Sequence, residues 1–400
     1  MSDTERTPTA AWRMLALGVL AQAAGTLLVS TPAYLIPLLH VQRGIPLAQA
    51  GLLASAPTFG MVLTLVAWGA LADRYGERWV IAGGLALTAA FALVAVAASG
   101  FVGLGLLLLL GGAASASTNA ASGRVVVGWF PRSRRGLAMG IRQMSQPLGV
   151  AAAAVSVPPL ADRFGPGGPL LLAGVVLAVL AVLCAIGIAN PPRPAARAAA
   201  SEAPANPYRA SGFLWRIHLV SVLLVVPQFT LSIFGLVWLI TQLHWSATAA
   251  GIVIGVSQFV GAIGRIVIGS WSDRVGSRVR VLRWVAISGV VVMGALALTG
   301  VVEWAAAAAV VLIVATTVSV ADNGLSFTSV AEAAGPQWSG RALGLQNTGQ
   351  FLAASAVGPG IGALITVVGY PIAFALVAVA PLLSIPLVPA RDRHWTPRSG

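Results

Sequence analysis

Long apolar stretches, separated by short polar or Pro/Gly-containing breaks, dominate this chain. About 20 consecutive apolar residues span the hydrocarbon core of a bilayer as one helix, and stretches such as Val102–Ala121 and Leu219–Ile240 reach that length. We count twelve such stretches and predict a transmembrane helix in each. The predicted helices cover residues 13–38, 48–71, 79–98, 101–128, 136–160, 168–190, 215–242, 248–271, 281–300, 303–330, 341–367 and 370–389.

Composition supports a membrane environment. Of the 400 residues, 58% are hydrophobic and only 9% are charged, whereas about 25% are charged in a typical soluble domain. We therefore expect an all-α membrane protein. The first apolar stretch has no small-residue cleavage site behind it, so we interpret it as an uncleaved helix and not as a secretory signal.

The charge is strongly positive, at +13, and all 24 basic residues are arginine. Such a charge also occurs in nucleic-acid-binding proteins, but here the arginines concentrate in alternate loops, so we expect no nucleic acid partner. This positive-inside asymmetry predicts a multi-pass protein with both termini in the cytoplasm, and short loops favour the bacterial inner membrane. The arginines that carry the asymmetry are Arg74, Arg78, Arg132, Arg134, Arg135, Arg193, Arg197, Arg209, Arg274, Arg278, Arg280, Arg283, Arg341, Arg391, Arg393 and Arg398.

The two halves of the chain repeat each other. The segment GALADRYGER, from Gly69, returns 200 residues later as GSWSDRVGSR, from Gly269, and AMGIRQMSQ, from Ala138, returns as ALGLQNTGQ, from Ala342. Several matches in order and at a nearly constant offset indicate internal duplication. Because each half has six predicted helices, the halves are parallel repeats around an axis along the bilayer normal.

The segment NPPRPAARAAASEAPANPYRAS, from Asn190, is rich in proline and alanine and predicts a cytoplasmic linker between the halves. The predicted organisation is an N-terminal tail (1–12), a six-helix bundle (13–190), a linker (191–212), a second six-helix bundle (213–390) and a C-terminal tail (391–400).

The loop GALADRYGER between predicted helices 2 and 3 resembles the loop signature of the major facilitator superfamily, and its weaker copy lies between helices 8 and 9. The segment RRGLAMGIRQ, which enters helix 5, is also similar to that family's pattern. The resemblance covers essentially the whole chain. It implies the major facilitator fold and a secondary active transporter that works by alternating access around a central site.

The repeated motif predicts a conformational gate. Its glycines permit close helix approach and a tight turn. Asp73 is expected against the start of helix 11, and Asp273 against the start of helix 5, where helix N-termini favour a carboxylate. Alternatively, the motif arginines only follow the positive-inside rule. The predicted gate residues are Gly69, Asp73, Arg74, Gly76, Arg78, Gly269, Asp273, Arg274, Gly276, Arg278 and Glu332.

One departure from the family concerns the acid that usually closes helix 4 and pairs with the motif arginines. The corresponding segment GRVVVGWFP has no acid, whereas Glu332 closes helix 10. We expect Glu332 to pair with Arg274. The first-half network is either incomplete or uses Glu77.

Five ionisable residues within or at the end of predicted spans are functional candidates, because such groups cost at least ~2.5–3.5 kcal/mol on insertion scales: Arg124, Arg142, Arg265, Asp322 and, at a helix end, Glu332. Of these, Arg124 is expected at the membrane interface. Arg265 lies in RIVIG, which resembles the Arg-x-x-x-Gly of helix 8 in monocarboxylate carriers, where the arginine binds the substrate carboxylate. It either contacts substrate or has a structural pairing or snorkelling role. Asp322 suits proton coupling, although a structural pairing with Arg265 or Arg142 is an equal alternative.

Amides near Arg142 suggest a polar cavity for a small anion. Arg142 and Gln146 share one helix face, as do Gln346 and Gln350 in the repeat. The alternative is that these amides only join helices. The predicted substrate-binding residues are Arg142, Gln146, Arg265, Gln346, Gln350, Asn119, Asn323, Tyr34 and Trp238.

The leading hypothesis is a proton-coupled, monomeric transporter that imports a small organic anion such as a monocarboxylate. We expect no cofactor, no metal and no enzymatic activity, because the sequence has no metal-ligand cluster, nucleotide-binding loop or hydrolytic triad. The alternative is a drug–proton antiporter of the same superfamily, although the core of the exporters' helix 5 motif GxxxGPxxGG is missing. A non-transporting membrane sensor is a remote alternative.

Overall fold

The computed structural model describes residues 9–98, 100–130, 138, 141–190, 206–335 and 338–393. These residues form helices, and no strand occurs among them. The first half contains α1 (Thr9–Tyr34), α2 (Leu47–Tyr75), α3 (Glu77–Val96), α4 (Phe101–Trp129), α5 (Ser145–Phe164) and α6 (Gly167–Gly187). A π-helical turn, Leu38–Gln42, follows α1, and a one-turn helix, Pro207–Ala210, precedes the second half.

The second half contains α7 (Phe213–Thr241), α8 (Ala247–Val275) and α9 (Arg278–Val302). The tenth span consists of two segments, α10a (Ala305–Ser319) and α10b (Asp322–Ala334). The last helices are α11 (Ser339–Val377) and α12 (Val379–Leu387).

Ten segments of the described chain are long and apolar enough to cross a membrane. The last of them, Arg341–Leu387, contains two predicted spans, because Gly369 has φ 79° and breaks α11. The 20-residue helix α5 is not among the ten; it contains three prolines, and the charged pair Asp162–Arg163 lies in its last turn. The prediction of an all-helical membrane protein is confirmed.

The chain divides into two compact units, Met1–Ile45 with Leu52–Ala198 and Pro46–Gly51 with Ala199–Gly400. In the first unit, α3 packs against α4 and α6, and α1 packs against α4, α5 and α6. In the second unit, α7 packs against α11 and α12, α8 against α10a, and α9 against α10a and α11. The predicted linker (191–212) lies largely outside the described residues, as do most of the two predicted tails, and the predicted domain limits stay predictions.

Small residues bring α3 and α4 together inside the first unit. A Cβ atom on Gly84 of α3 would overlap the side chain of Ser117 of α4, and Ser117 is fully buried. The neighbouring Gly83 faces open space instead. Only one of these two adjacent glycines is therefore required by helix packing.

We expect Gly84→Ala to destabilise the protein by about 1–3 kcal/mol, because the added methyl group overpacks the contact between α3 and α4. Thermal unfolding of the purified protein in detergent measures this effect. Gly83→Ala is the matched control and is expected to unfold like the parent protein. Equal melting temperatures for the two variants would show that the contact at Gly84 does not limit packing.

Candidate functional site

A polar cluster joins three segments of the first unit. Gln22 of α1 donates from Nε2 to Oδ1 of Asn119 on α4, at 2.8 Å. Ser122 Oγ, one turn further along α4, donates to Gln22 Oε1 at 3.1 Å. Arg142, just before α5, donates from Nε to Ser122 Oγ at 2.9 Å and from a terminal nitrogen to the carbonyl oxygen of Asn119 at 3.2 Å. The cluster therefore holds a guanidinium among amide and hydroxyl groups.

Two glutamines follow Arg142 in different environments. Gln143 accepts a hydrogen bond from Arg142 at 3.0 Å and is exposed. Gln146 is half-buried in α5, and no side-chain hydrogen bond joins it to another described residue. The structure thus brings Asn119 and Arg142 together, whereas Gln146 stays a predicted substrate contact.

A second cluster occupies the second unit. His218 of α7 is buried between the hydroxyl of Tyr208, 2.9 Å from Nε2, and Oε1 of Gln346 on α11, 3.0 Å from Nδ1. Because a carbonyl oxygen can only accept, Nδ1 carries the proton and Nε2 accepts from Tyr208. Burial raises the pKa of the Tyr208 hydroxyl, which therefore remains a donor. Gln346 and Gln350 both donate to Ser221 Oγ of α7, at 3.4 and 2.6 Å.

This second cluster continues to the tenth span. Gln350 also donates to Asn323 Oδ1 at 3.1 Å, and Asn323 donates to Gln228 Oε1 of α7 at 3.1 Å. Asn323 and Gln346 are the repeat partners of Asn119 and Arg142, so each unit places a polar cluster at corresponding positions. Sequence reasoning missed the α1 and α7 partners, which are Gln22, His218, Ser221 and Gln228.

We expect His218→Phe to lower the stability of the purified protein by about 1–3 kcal/mol, because the buried carbonyl of Gln346 loses its donor. Tyr208→Phe removes only the outer hydroxyl and is expected to cost about 0.5–1.5 kcal/mol. Chemical or thermal unfolding in detergent measures both values. An unchanged His218→Phe variant would show that the cluster contributes nothing to folding.

Asp322 and Arg265 form a separate pair of opposite charges in the second unit, in which Asp322 is buried and Arg265 is half-buried. A tighter turn, in which Ala321 N–H donates to the carbonyl of Val318 at 3.2 Å, separates α10a from α10b and puts Asp322 in the first turn of α10b. Asp322 is 1% exposed and interacts electrostatically with Arg265 of α8.

Neither group of this pair is fully satisfied. Both carboxylate oxygens of Asp322 and Nε of Arg265 lack a hydrogen-bond partner of acceptable geometry among the described residues. Asp322 also faces a cavity of about 10 Å³, formed with side chains of α7, α9, α10a and α12. That volume is about the space of one water molecule. The pair is thus an acid and a base held close together but not locked by direct hydrogen bonds.

Two predicted aromatic contacts lie in the cores of their units. Tyr34 is 2% exposed and Trp238 is 0% exposed. The Trp238 ring packs edge-on against Phe374, with ring centroids 5.2 Å apart. In this structure neither side chain faces an open cavity, so their predicted substrate contact requires a different conformation.

In the first unit, the repeated motif GALADRYGER contributes hydrogen bonds between the ends of two helices. The side chain of Asp73 lies outside the described residues. Arg74 is exposed and its guanidinium lies 5.4 Å from the ring centroid of Tyr75. Arg78 donates from Nε to the carbonyl of Ala185 at 2.6 Å, and its backbone N–H donates to Asn190 Oδ1 at 3.0 Å. Arg78 therefore joins the start of α3 to the end of α6.

The motif copy in the second unit forms an ion-pair network. Arg278 lies 2.6 Å from an oxygen of Asp273 and 3.9 Å from one of Glu332, and it also donates to Ser272. The network joins α8, α9 and α10b. The structure thus brings Arg278 to Glu332, whereas the expected pairing of Arg274 with Glu332 stays a prediction.

The motif glycines divide into two groups. Gly76 and Gly276 have φ values of 87° and 69°, so the predicted tight turns are present and favour glycine. A Cβ atom on Gly69 or Gly269 would meet none of the described atoms within 4 Å. The close helix approach expected at Gly69 and Gly269 therefore has no counterpart among the described residues and stays a prediction.

Comparisons with known proteins agree with the fold. Residues 15–359 match the family model described as Major Facilitator Superfamily. The chain is 46% identical over 389 residues to uncharacterized MFS-type transporters of two Mycobacterium tuberculosis strains, covering 96% of this chain and 87% of each relative.

Solved structures give a second comparison. A bacterial homolog to the human lysosomal transporter Spinster, in an inward-facing and occupied conformation, has a TM-score of 0.79 at 16% identity, over 99% of this chain and 100% of that chain. The unoccupied inward-facing structure of such a homolog has a TM-score of 0.74 at 15% identity, over 96% and 95% of the two chains. At these identities the likeness concerns the fold alone.

Proposed function

Because this chain belongs to the major facilitator superfamily of membrane transporters, we propose that it carries a small organic anion together with a proton across the bacterial inner membrane. The family makes it a multi-pass transporter and not an enzyme. Beyond family membership, we propose the class of substrate, its coupling to protons and the location in the bacterial inner membrane.

The observation that carries the proposal is the pair of Asp322, which is buried, and Arg265, which is half-buried. While Asp322 is ionised, the two charges balance each other. When Asp322 takes up a proton, the Arg265 guanidinium is left as an uncompensated positive charge within the span, which is costly unless an anion compensates it. Proton binding and anion binding therefore favour each other, and this mutual dependence couples their transport.

Within the first unit, the cluster around Arg142 offers a further set of groups that suits an anion. A guanidinium offers several N–H donors in one plane and suits the two oxygens of a carboxylate. Asn119 and Arg142 are only half-buried, so solute can reach the edge of this cluster when a path opens. Gln22 and Ser122 hold the amide and the guanidinium in place.

The aromatic side chains favour the anion carrier over the drug exporter. An exporter of hydrophobic cations requires accessible aromatic surface. Tyr34, Phe234 and Trp238 are at most 2% exposed, and each is packed inside its own unit. The half-buried guanidinium groups of Arg142 and Arg265 would in addition repel a cation.

Uptake into proteoliposomes tests the proposal. Vesicles containing the protein are given radiolabelled lactate, pyruvate, acetate or succinate, with and without an inward proton gradient, beside protein-free vesicles. We expect the gradient to drive accumulation of at least one of these carboxylates and a protonophore to abolish it. The proposal fails if none of these anions accumulates while a hydrophobic organic cation is expelled in exchange for protons.

A further inference from the structure

Three side chains on one face of α10b carry buried oxygen atoms that lack hydrogen bonds. Asp322, Ser326 and Ser329 are 1%, 0% and 2% exposed. Both carboxylate oxygens of Asp322 and the hydroxyl oxygens of both serines have no partner among the described residues. The spacing i, i+4, i+7 places all three on the same side of the helix.

The two serines differ from several other hydroxyl side chains in these helices, which bond to the carbonyl one turn earlier. Thr328, between them, donates to the carbonyl of Gly324 at 2.8 Å. Ser355 and Thr88, in other helices, also donate to the carbonyl one turn earlier, at 2.8 and 2.7 Å. Ser326 and Ser329 could satisfy themselves in this way, but their hydroxyls point elsewhere.

Buried hydroxyl and carboxyl groups without a protein partner are normally hydrogen-bonded to buried water, because leaving them dry is costly. Asp322 faces a cavity with the volume of about one water molecule. With a rise of about 1.5 Å per residue, Ser326 lies about 6 Å and Ser329 about 10.5 Å along the helix from Asp322. Single waters can bridge steps of this length.

The far end of this face reaches the arginine-rich side of the bundle. Glu332 lies one turn beyond Ser329, has a side chain that is 33% exposed, and contacts Arg278. The arginine-rich side is the predicted cytoplasmic side. The unsatisfied oxygens of Ser329, Ser326 and Asp322 therefore follow one another along the helix, beginning one turn from the partly exposed Glu332, which is itself paired with Arg278.

We propose that Asp322, Ser326 and Ser329, bridged by buried waters, form a proton path along α10b that ends near Glu332. In each step a hydroxyl accepts a proton from the water on one side and releases its own proton to the water on the other side, so that charge and atoms balance. This inference rests on the proposed function in that Asp322 is the acid that takes up the transported proton.

The amide cluster that also reaches Asn323 is a less suitable route. Its side chains Gln346, Gln350 and Asn323 already use their amide groups in direct hydrogen bonds. A carboxamide does not readily accept and pass on protons, because its nitrogen is not basic. The cluster fixes the helices α7, α10b and α11, whereas the α10b face has free lone pairs.

Cysteine labelling tests whether this face is hydrated, without knowledge of the substrate. In a Cys184→Ala background, Ser326→Cys and Ser329→Cys are reacted with a small charged methanethiosulfonate reagent in proteoliposomes. The control is Ser117→Cys, since Ser117 is equally buried and also lacks a partner among the described residues but packs directly against Gly84. Thiolates form and react only where water enters, so we expect rates at least about tenfold above the control.

Infrared spectroscopy tests whether protons use the path. The carboxyl band that disappears in Asp322→Asn reports the protonated acid, and its shift in D₂O reports exchange. We expect the double variant Ser326→Ala/Ser329→Ala to slow this exchange, and Thr328→Ala, which alters a back-bonded hydroxyl, to leave it unchanged.

The outcomes separate the path from the proposed function. Labelling at the rate of the Ser117→Cys control, or unchanged exchange in the double variant, would overturn the proton path even if Asp322 is protonated. If no pH produces a protonated Asp322 band, the coupling role of Asp322 fails, and the path fails with it. In that case fast labelling would show hydration alone.

Discussion

Replacing Asp322 by asparagine is expected to abolish proton-driven accumulation of the transported carboxylate while leaving its exchange across the membrane intact. With one proton per anion, a gradient of one pH unit sustains about tenfold accumulation, equivalent to about 1.4 kcal/mol. Asparagine resembles the protonated acid, so the anion still binds near Arg265, but no proton moves with it. Net uptake and counterflow in proteoliposomes measure the two activities separately.

Two further variants control this experiment. Asp162→Asn removes an exposed acid at the end of α5 and is expected to accumulate substrate like the parent protein. Asp322→Glu keeps an ionisable group and is expected to retain part of the coupling. Normal accumulation by Asp322→Asn would exclude Asp322 as the coupling residue.

Replacing Arg265, the positively charged partner of Asp322, is expected to lower stability more than replacing Asp322 does. Arg265→Gln leaves the buried Asp322 carboxylate without the nearby positive charge, and leaving a buried polar group uncompensated costs about 1–3 kcal/mol. We expect a strongly lowered melting temperature in detergent and no transport. The double variant Arg265→Gln/Asp322→Asn buries two neutral amides and is expected to regain most of the stability but no transport.

The double variant distinguishes an energetic interaction between Arg265 and Asp322 from general destabilisation of the protein. If it is no more stable than Arg265→Gln alone, the two residues do not interact energetically. If Arg265→Gln transports carboxylates normally, Arg265 does not bind the anion. Either result would contradict the proposed role of the pair.

Much of the fold follows from the sequence, because apolar length and internal repetition are strong signals in a membrane protein. Gly369 is an example. The apolar pattern predicts a break between residues 367 and 370, and Gly369 has a positive φ in the structure. The sequence also allows, as one alternative, that Asp322 is buried close to Arg265. A charge within an apolar stretch must lie inside a bundle or be compensated.

Side-chain partners are less predictable, because they depend on how each helix is rotated about its axis. His218 illustrates this point. It stands near the start of a long apolar stretch, and only the structure shows it between Tyr208 and Gln346. Tyr34 and Trp238 show the reverse, since an aromatic residue in a span packs equally well in a core or beside a cavity.

The structure pairs Glu332 with Arg278, whereas the sequence predicts a pairing with Arg274, and the positions of the helix ends bear on this difference. The predicted helix 8 ends at residue 271, whereas α8 continues to Val275. Arg274 therefore remains on the last turn of α8, and Arg278 begins α9 after the turn at Gly276. The structure has Arg278 within 3.9 Å of the acid.

The central claim is that Asp322 takes up a proton when an anion binds near Arg265. Measuring proton uptake on substrate binding tests this claim most directly. The purified protein is mixed in weakly buffered detergent solution, near neutral pH, with a carboxylate identified in the uptake screen, and an indicator dye follows the pH. We expect uptake of about one proton for each anion bound, by linkage between the two equilibria, and none in Asp322→Asn. Binding of the anion to the parent protein without any proton uptake would contradict this linkage.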